Sequence, residues 1–188
     1  MKPDVRKHLN ESIAVKQRIL DTLVPTIEQA AAVMAACLKE GHKLLFFGNG
    51  GSASDSQHLA AEFVGRYEKE RPALAAIALT TDTSILTAVG NDYGFERIFE
   101  RQVEALGKKG DVVMAISTSG NSKNVLKGVV KAKEMGLYTI AFSGGSGGSL
   151  ALQADLALVI VSNKTSRIQE SHILIGHILC ECVDELLS

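Results

Sequence analysis

Five short apolar runs punctuate the chain: KLLFF at 43–47, ALAAIAL at 73–79, DVVMAIS at 111–117, LYTIAFS at 137–143 and ADLALVIV at 154–161. Apolar residues at consecutive rather than alternate positions suit strands covered on both faces, the condition of a parallel sheet between helical layers. Helices are expected between and after the runs, over 55–66, 94–106, 122–135 and 165–187. The alternation predicts an α/β three-layer sandwich around a five-stranded parallel sheet, doubly wound, with ligands bound beyond the carboxyl ends of the strands. At 188 residues the chain is long enough for one well-buried core and short for two, so residues 1–188 are read as a single domain.

The first forty residues lie outside that alternation and read as two helices. Pro25 suits the first turn of the second, whose Ala-rich body ends at Gly41. Leu9, Ile13, Ile19, Leu20 and Leu23 give this segment apolar positions that need a cover, either the domain itself or a neighbouring subunit, and oligomerisation is the sharper expectation. Twenty basic residues balance twenty-one acidic ones, with no dense Lys/Arg run, so nucleic acid is not an expected partner. No signal-peptide core and no membrane-length apolar run stand out, and a soluble, cytoplasmic protein is expected. Cys37, Cys180 and Cys182 are odd in number, and the last two lack the two-residue gap of a zinc knuckle. They are read as free thiols.

Two of the apolar runs end in small polar residues that lead into a helix: Gly48-Asn49-Gly50-Gly51-Ser52, and Ser117-Thr118-Ser119-Gly120-Asn121-Ser122. Glycines let the backbone approach an anion, and hydroxyls with unpaired helix-start amides donate to it. The second loop is the better phosphate cradle; lacking a Walker-type lysine, it suits a monoester rather than a nucleoside triphosphate. Turn and N-cap chemistry explains either loop taken singly. On neighbouring strand ends they favour a shared ligand. The third glycine-rich stretch, Gly144 to Gly148, is expected to be a flexible connection.

His58 and Glu62, four positions apart on the helix after the first loop, share a face and supply an imidazole and a carboxylate. Such spacings are usually surface ion pairs, but this helix starts at a ligand loop. The last helix carries Arg167, Gln169, Glu170, His172 and His177 among isoleucines and leucines. On spacing alone, His177 reads as a hydrogen-bonded packing residue.

The strings FFGNGGSASDSQHLAAEFVGRY, ALTTDTSILTAVGNDYGFERIF, ISTSGNSKNVLKG and TSRIQESHILIGHIL resemble the motifs of the phosphoheptose isomerases of the sugar isomerase (SIS) domain superfamily, in order and spacing, from about Ala30 to the end. The resemblance implies a flavodoxin-like SIS domain with extra N-terminal helices, assembled as a homotetramer. It implies an aldose–ketose isomerase that converts sedoheptulose 7-phosphate to D-glycero-D-manno-heptose 7-phosphate, the first step towards activated heptose for lipopolysaccharide and related glycoconjugates. Asn49, Gly50, Gly51 and Ser52 would line the sugar-phosphate pocket; Asn91 and Asp92 would contact substrate; Ser117, Thr118, Ser119 and Ser122 would hold the phosphate. His58, Glu62, Gln169 and His177 match the family's catalytic and zinc-binding positions, with one Zn2+ per subunit, Glu62 the base and His177 the acid.

The alternative is a non-catalytic SIS-domain binding protein of the DnaA initiator-associating type. That protein resembles the isomerases but lacks counterparts of Glu62 and His177, both present here. Arabinose 5-phosphate isomerases usually carry extra regulatory domains, for which there is no room. Ser166 stands where some relatives have Asp. Gln169 and His177 are eight residues apart, about 12 Å along one helix and turned by roughly 80°. A single helix does not readily bring both to one metal, so a site shared between subunits is expected.

Overall fold

Phe46 and Phe47 are chain neighbours, yet each is fully buried in a different core. Successive strand side chains point to opposite faces, so two buried neighbours require a sheet covered on both sides. The computed structural model, which describes residues 3–188, has that form. In chain order it runs α1 (Val5–Thr22), α2 (Val24–Lys39), β1 (Leu44–Gly48), α3 (Gly51–Val64), β2 (Ala76–Ala78), α4 (Thr83–Tyr93), a 3-10 turn (Phe95–Arg97), α5 (Ile98–Leu106), β3 (Val112–Ser117), α6 (Lys123–Glu134), β4 (Tyr138–Gly144), α7 (Gly148–Gln153), β5 (Leu156–Ile160) and α8 (Thr165–Leu187).

All strand pairings are parallel, in the order β2-β1-β3-β4-β5. Leu44, Phe46, Val112, Met114, Ile116, Ile140 and Phe142 pack with α1, α2, α3 and α8 on one face; Leu45, Phe47, Val113, Ala115 and Ala141 pack with α5, α6 and α7 on the other. On the second face Phe47 stacks on Phe99 with ring centroids 5.0 Å apart, and Gly128 makes room for that pair. Truncating either phenylalanine would cost about 3–5 kcal/mol. The sheet order reverses direction between β1 and β3, which places the crevice for a ligand beyond their carboxyl ends.

Three expectations need correction. The helix expected over 94–106 starts only at Ile98, because Gly94 turns the chain at φ 88°. A separate helix, α4, precedes it; none of its side chains is fully buried, Leu86 and Val89 rest half-buried against the core, and its start is marked by the Asp82 carboxylate, which accepts from Ile85 N at 2.9 Å. Nor is the stretch from Gly144 to Gly148 a loose connection. Gly147 N donates to Gly144 O and Leu150 N to Gly120 O, so the turn and α7 are bound to the Ser117–Ser122 loop. The seven-residue apolar run at 73–79 yields just a three-residue edge strand, since only β1 flanks it.

Pro25 does sit in the first turn of α2. On α1, Val15 and Ile19 are buried, whereas Leu9, Ile13 and Leu20 stay about 60% exposed, at 60%, 62% and 63%. The chain itself thus covers only one side of this helix. Among the described residues no single helix is long and apolar enough to cross a membrane; α1 and α2 pass that test only as a pair, bent by 72°. Cys37 and Cys180 are buried, Cys182 is partly so, and all three are free.

Candidate active site

The two polar loops meet at the switch point. Gly48 ends β1 where a Cβ would lie 2.7 Å from Ile116 O, so the first loop is drawn tightly against β3. Gly50 takes φ 56° and caps α3 without a side chain, while Ser52 N and Ala53 N close back onto the carbonyls of Asn49 and Gly50. In the second loop Ser122 begins α6, but its hydroxyl pairs with Ser117 Oγ at 3.0 Å instead of capping the helix. Ser117 also faces Ser119 Oγ at 3.5 Å, and Ser119 Oγ accepts from Asn121 N. The serine hydroxyls and the first amides of α6 therefore gather at one place, a donor set suited to an anion. Gly120, at φ 65°, allows this shape; a Cβ there would collide with Gly147 O. Thr118 is partly exposed beside these serines.

A residue not singled out in the sequence ties the loops together. Asn124, in the first turn of α6 and 3% exposed, exchanges two amide hydrogen bonds with Asn49, at 2.9 and 2.8 Å. Its oxygen also accepts from Val125 N.

The candidate acid–base residues come from α3 and α8. Gly176 lies against Leu59 so closely that a Cβ would stand 2.6 Å from Leu59 Cδ2. That close approach brings the residues next to them together: His58 Nε2 and His177 Nε2 are 2.8 Å apart, and His58 Nε2 is 3.5 Å from Glu62 Oε1. The side chain of His58 is 46% exposed and that of Glu62 23%, so the cluster opens to solvent rather than to a dry interior. His177 is not the packing histidine its spacing suggested. That role falls to His172, 1% exposed, whose Nε2 donates to Ser143 O at 3.1 Å while burial pushes its pKa down to about 4. The five-residue offset turns the two imidazoles to different sides of α8.

The far end of α3 is locked as well. The Arg71 guanidinium donates to the carbonyls of Glu62 and Phe63, at 3.0 and 2.9 Å, and to Asp184 Oδ1 on α8 at 2.6 Å. Terminal carbonyls of α3 and a buried carboxylate of α8 thus share one cation. Asp55, one turn before His58, holds Oδ2 buried with no partner, and burial raises its pKa against the opposing charge of His58.

Other expected site residues stand apart from this cluster. Gln169 packs at the foot of α3, where a Cβ on Gly51 would collide with its amide, two helical turns from His177. Ser52 is buried beneath the same turn. Asn91 and Asp92 are exposed near the end of α4 and bond to each other at 2.8 Å. Gly176, Asn124 and Arg71 were missed in the sequence; a glycine inside a 23-residue helix was the one available signal among them.

His58, Glu62 and His177 offer two imidazole nitrogens and a carboxylate oxygen, a donor set that suits zinc. As they stand, no three His, Cys, Asp or Glu side chains among the described residues form a metal shell.

The SIS domain family model matches residues 7–144. A phosphoheptose isomerase of Aquifex aeolicus (strain VF5) is 56% identical over 183 residues, which cover 97% of this chain and 96% of that one. The solved phosphoheptose isomerase from Neisseria gonorrhoeae superposes with a TM-score of 0.91 at 49% identity, covering 96% of this chain and 97% of its own. That from Francisella tularensis superposes at 0.93 with 42% identity, covering 96% of each chain. With an anion cradle at the switch point and a histidine–glutamate cluster further along the helix that starts there, the chain belongs to the SIS domain family and, within it, to the phosphoheptose isomerases.

Proposed function

We propose that the chain interconverts sedoheptulose 7-phosphate and D-glycero-D-manno-heptose 7-phosphate. The observation that carries this reading is the convergence of Glu62, His58 and His177 where α3 and α8 touch, on the helix that starts at one of the two ligand loops. The phosphate is held by Ser117, Thr118, Ser119 and Ser122 with the first amides of α6, and Asn49, Gly50, Gly51 and Ser52 line the sugar. Once the ring is open, Glu62 takes the proton from carbon 1. The electron pair moves into a carbon 1–carbon 2 double bond and charge develops on the carbon 2 oxygen. His177 donates to the carbon 2 oxygen and then accepts the proton of the carbon 1 hydroxyl, and Glu62 returns its proton to carbon 2, leaving the carbonyl at carbon 1. Such a transfer needs a positioned base, an acid and oxyanion stabilisation.

Zinc fits this reading, with His58, Glu62 and His177 as ligands and Gln169 at the foot of the same helix. When bound it would supply Lewis acidity to the sugar oxygens. The expected homotetramer is supported by the bare side of α1, where Val5, Leu9, Ile13 and Leu20 are each at least 60% exposed. It is also supported by α4, which buries no side chain although it carries Asn91 and Asp92. A second copy covering α4 would bring those two residues into a shared site. The cytoplasm, where sugar phosphates are made, is the compartment that this activity requires.

The test is incubation of the purified protein with sedoheptulose 7-phosphate, with and without a chelator, while aldose formation is followed. Aldose should accumulate, and more slowly after zinc removal. Binding without any aldose would leave a sugar-phosphate-binding module in place of an enzyme.

A further inference from the structure

Tyr67 lies just past the end of α3, in the segment that Arg71 fastens to α8. Its ring centroid is 5.7 Å from that of His177, at an interplanar angle of 33°. Its hydroxyl donates to Glu181 Oε1 at 3.3 Å, one helical turn beyond His177. The rest of the ring packs against the core on the α8 face of the sheet. His177 has its Nε2 committed to His58, and among the described residues no hydrogen bond reaches its Nδ1. A histidine that acts on substrate or metal usually has the second nitrogen fixed by a carbonyl or carboxylate. Without that bond, the imidazole is held by its single contact to His58 and by packing, and histidine χ2 is intrinsically broad.

We infer that Tyr67 is a positioning residue for His177: its ring braces the imidazole face and holds Nε2 toward His58 and Glu62. The tyrosine does not compete for the reactive nitrogen, because its own hydroxyl is turned to Glu181. An aromatic pair of this geometry restrains a ring without taking its proton. The kinetic part of this inference rests on the isomerase reading above; the structural part does not.

The experiment compares Tyr67→Leu and Tyr67→Phe with the wild-type chain in two readouts. The first is kcat and KM on sedoheptulose 7-phosphate. Loss of the ring should lower kcat roughly 10-fold with KM held within about 2-fold, and Tyr67→Phe should restore kcat to within about 3-fold of wild type. The second readout is side-chain NMR of the full chain labelled at its five histidines, with His177 assigned from a His177→Gln sample. The His177 ring signals should move in Tyr67→Leu and stay close to wild type in Tyr67→Phe, while those of His8 and His42 remain in place. Should the leucine variant not fold, Tyr67→Met, closer in volume, carries the same expectation. Unmoved His177 signals in the ring-less variant overturn the inference, as does a kcat loss that phenylalanine fails to restore. A wild-type chain that makes no aldose would defeat the isomerase reading, and the NMR comparison would still decide whether Tyr67 orients His177.

Discussion

Asn49, on the loop after β1, and Asn124, in the first turn of α6, hold each other through a reciprocal pair of amide hydrogen bonds, 2.9 and 2.8 Å long. Through that pair the Gly48–Ser52 loop and the start of α6 form one unit. Asn124→Leu removes one partner and leaves Asn49 with unpaired polar atoms, at a cost of about 1–3 kcal/mol. The expected outcome is a lower urea midpoint together with a KM for sugar phosphate raised about 10-fold. A double-mutant cycle with Asn49→Ala and Asn124→Ala, read by urea unfolding, should show that the two positions are coupled.

Gly176 sets how near α3 and α8 come. Alanine there gains up to about 1 kcal/mol of helix propensity but forces Leu59, 1% exposed, to yield. Stability should therefore fall by up to about 2 kcal/mol, because overpacking of about 1–3 kcal/mol outweighs the gain. Activity should fall at least about 10-fold, since His58 and His177 ride on the displaced turns. Adding Leu59→Val should recover part of kcat; steady-state kinetics with thermal melts of both variants check this.

Glu62→Gln keeps shape and hydrogen-bonding capacity but removes the base. Turnover should drop by about 100- to 10,000-fold with circular dichroism and melting temperature close to wild type, as expected of a side chain that is 23% exposed. An active Glu62→Gln enzyme would remove Glu62 from the mechanism.

Acid should weaken the fold through His172. Its folded pKa is pushed down to about 4 by burial, against about 6.5 in an unfolded chain. The unfolded state binds the proton first, so the contribution is complete above about pH 6.5 and declines as pH falls toward about 4, by about 3 kcal/mol in total. In His172→Gln, which can still donate to Ser143 O, unfolding free energy measured by urea titration should depend less steeply on pH across that window.

The sheet was legible because its strands are buried on both faces and read as unbroken apolar runs; α8 was legible to the residue, from Thr165 to Leu187. What escaped is what lacks a periodic signature. The helix α4 offers the core only the half-buried Leu86 and Val89, and α7 is six residues with Leu150 alone buried. In the site, the loops and the His58–Glu62 pair followed from spacing, and His177 from resemblance alone, its own pattern pointing to packing. Asn124 and Arg71 act through partners 75 and 113 positions away, a proximity that only the folded chain creates. Gly176 showed itself only as an odd glycine until Leu59 was seen against it.

Because one guanidinium, that of Arg71, grips both the end of α3 and Asp184 on α8, the two helices are joined by a polar clamp as well as by the apolar layer that seats both of them on the sheet. A change in either fastening would be felt where Glu62 and His177 meet at His58.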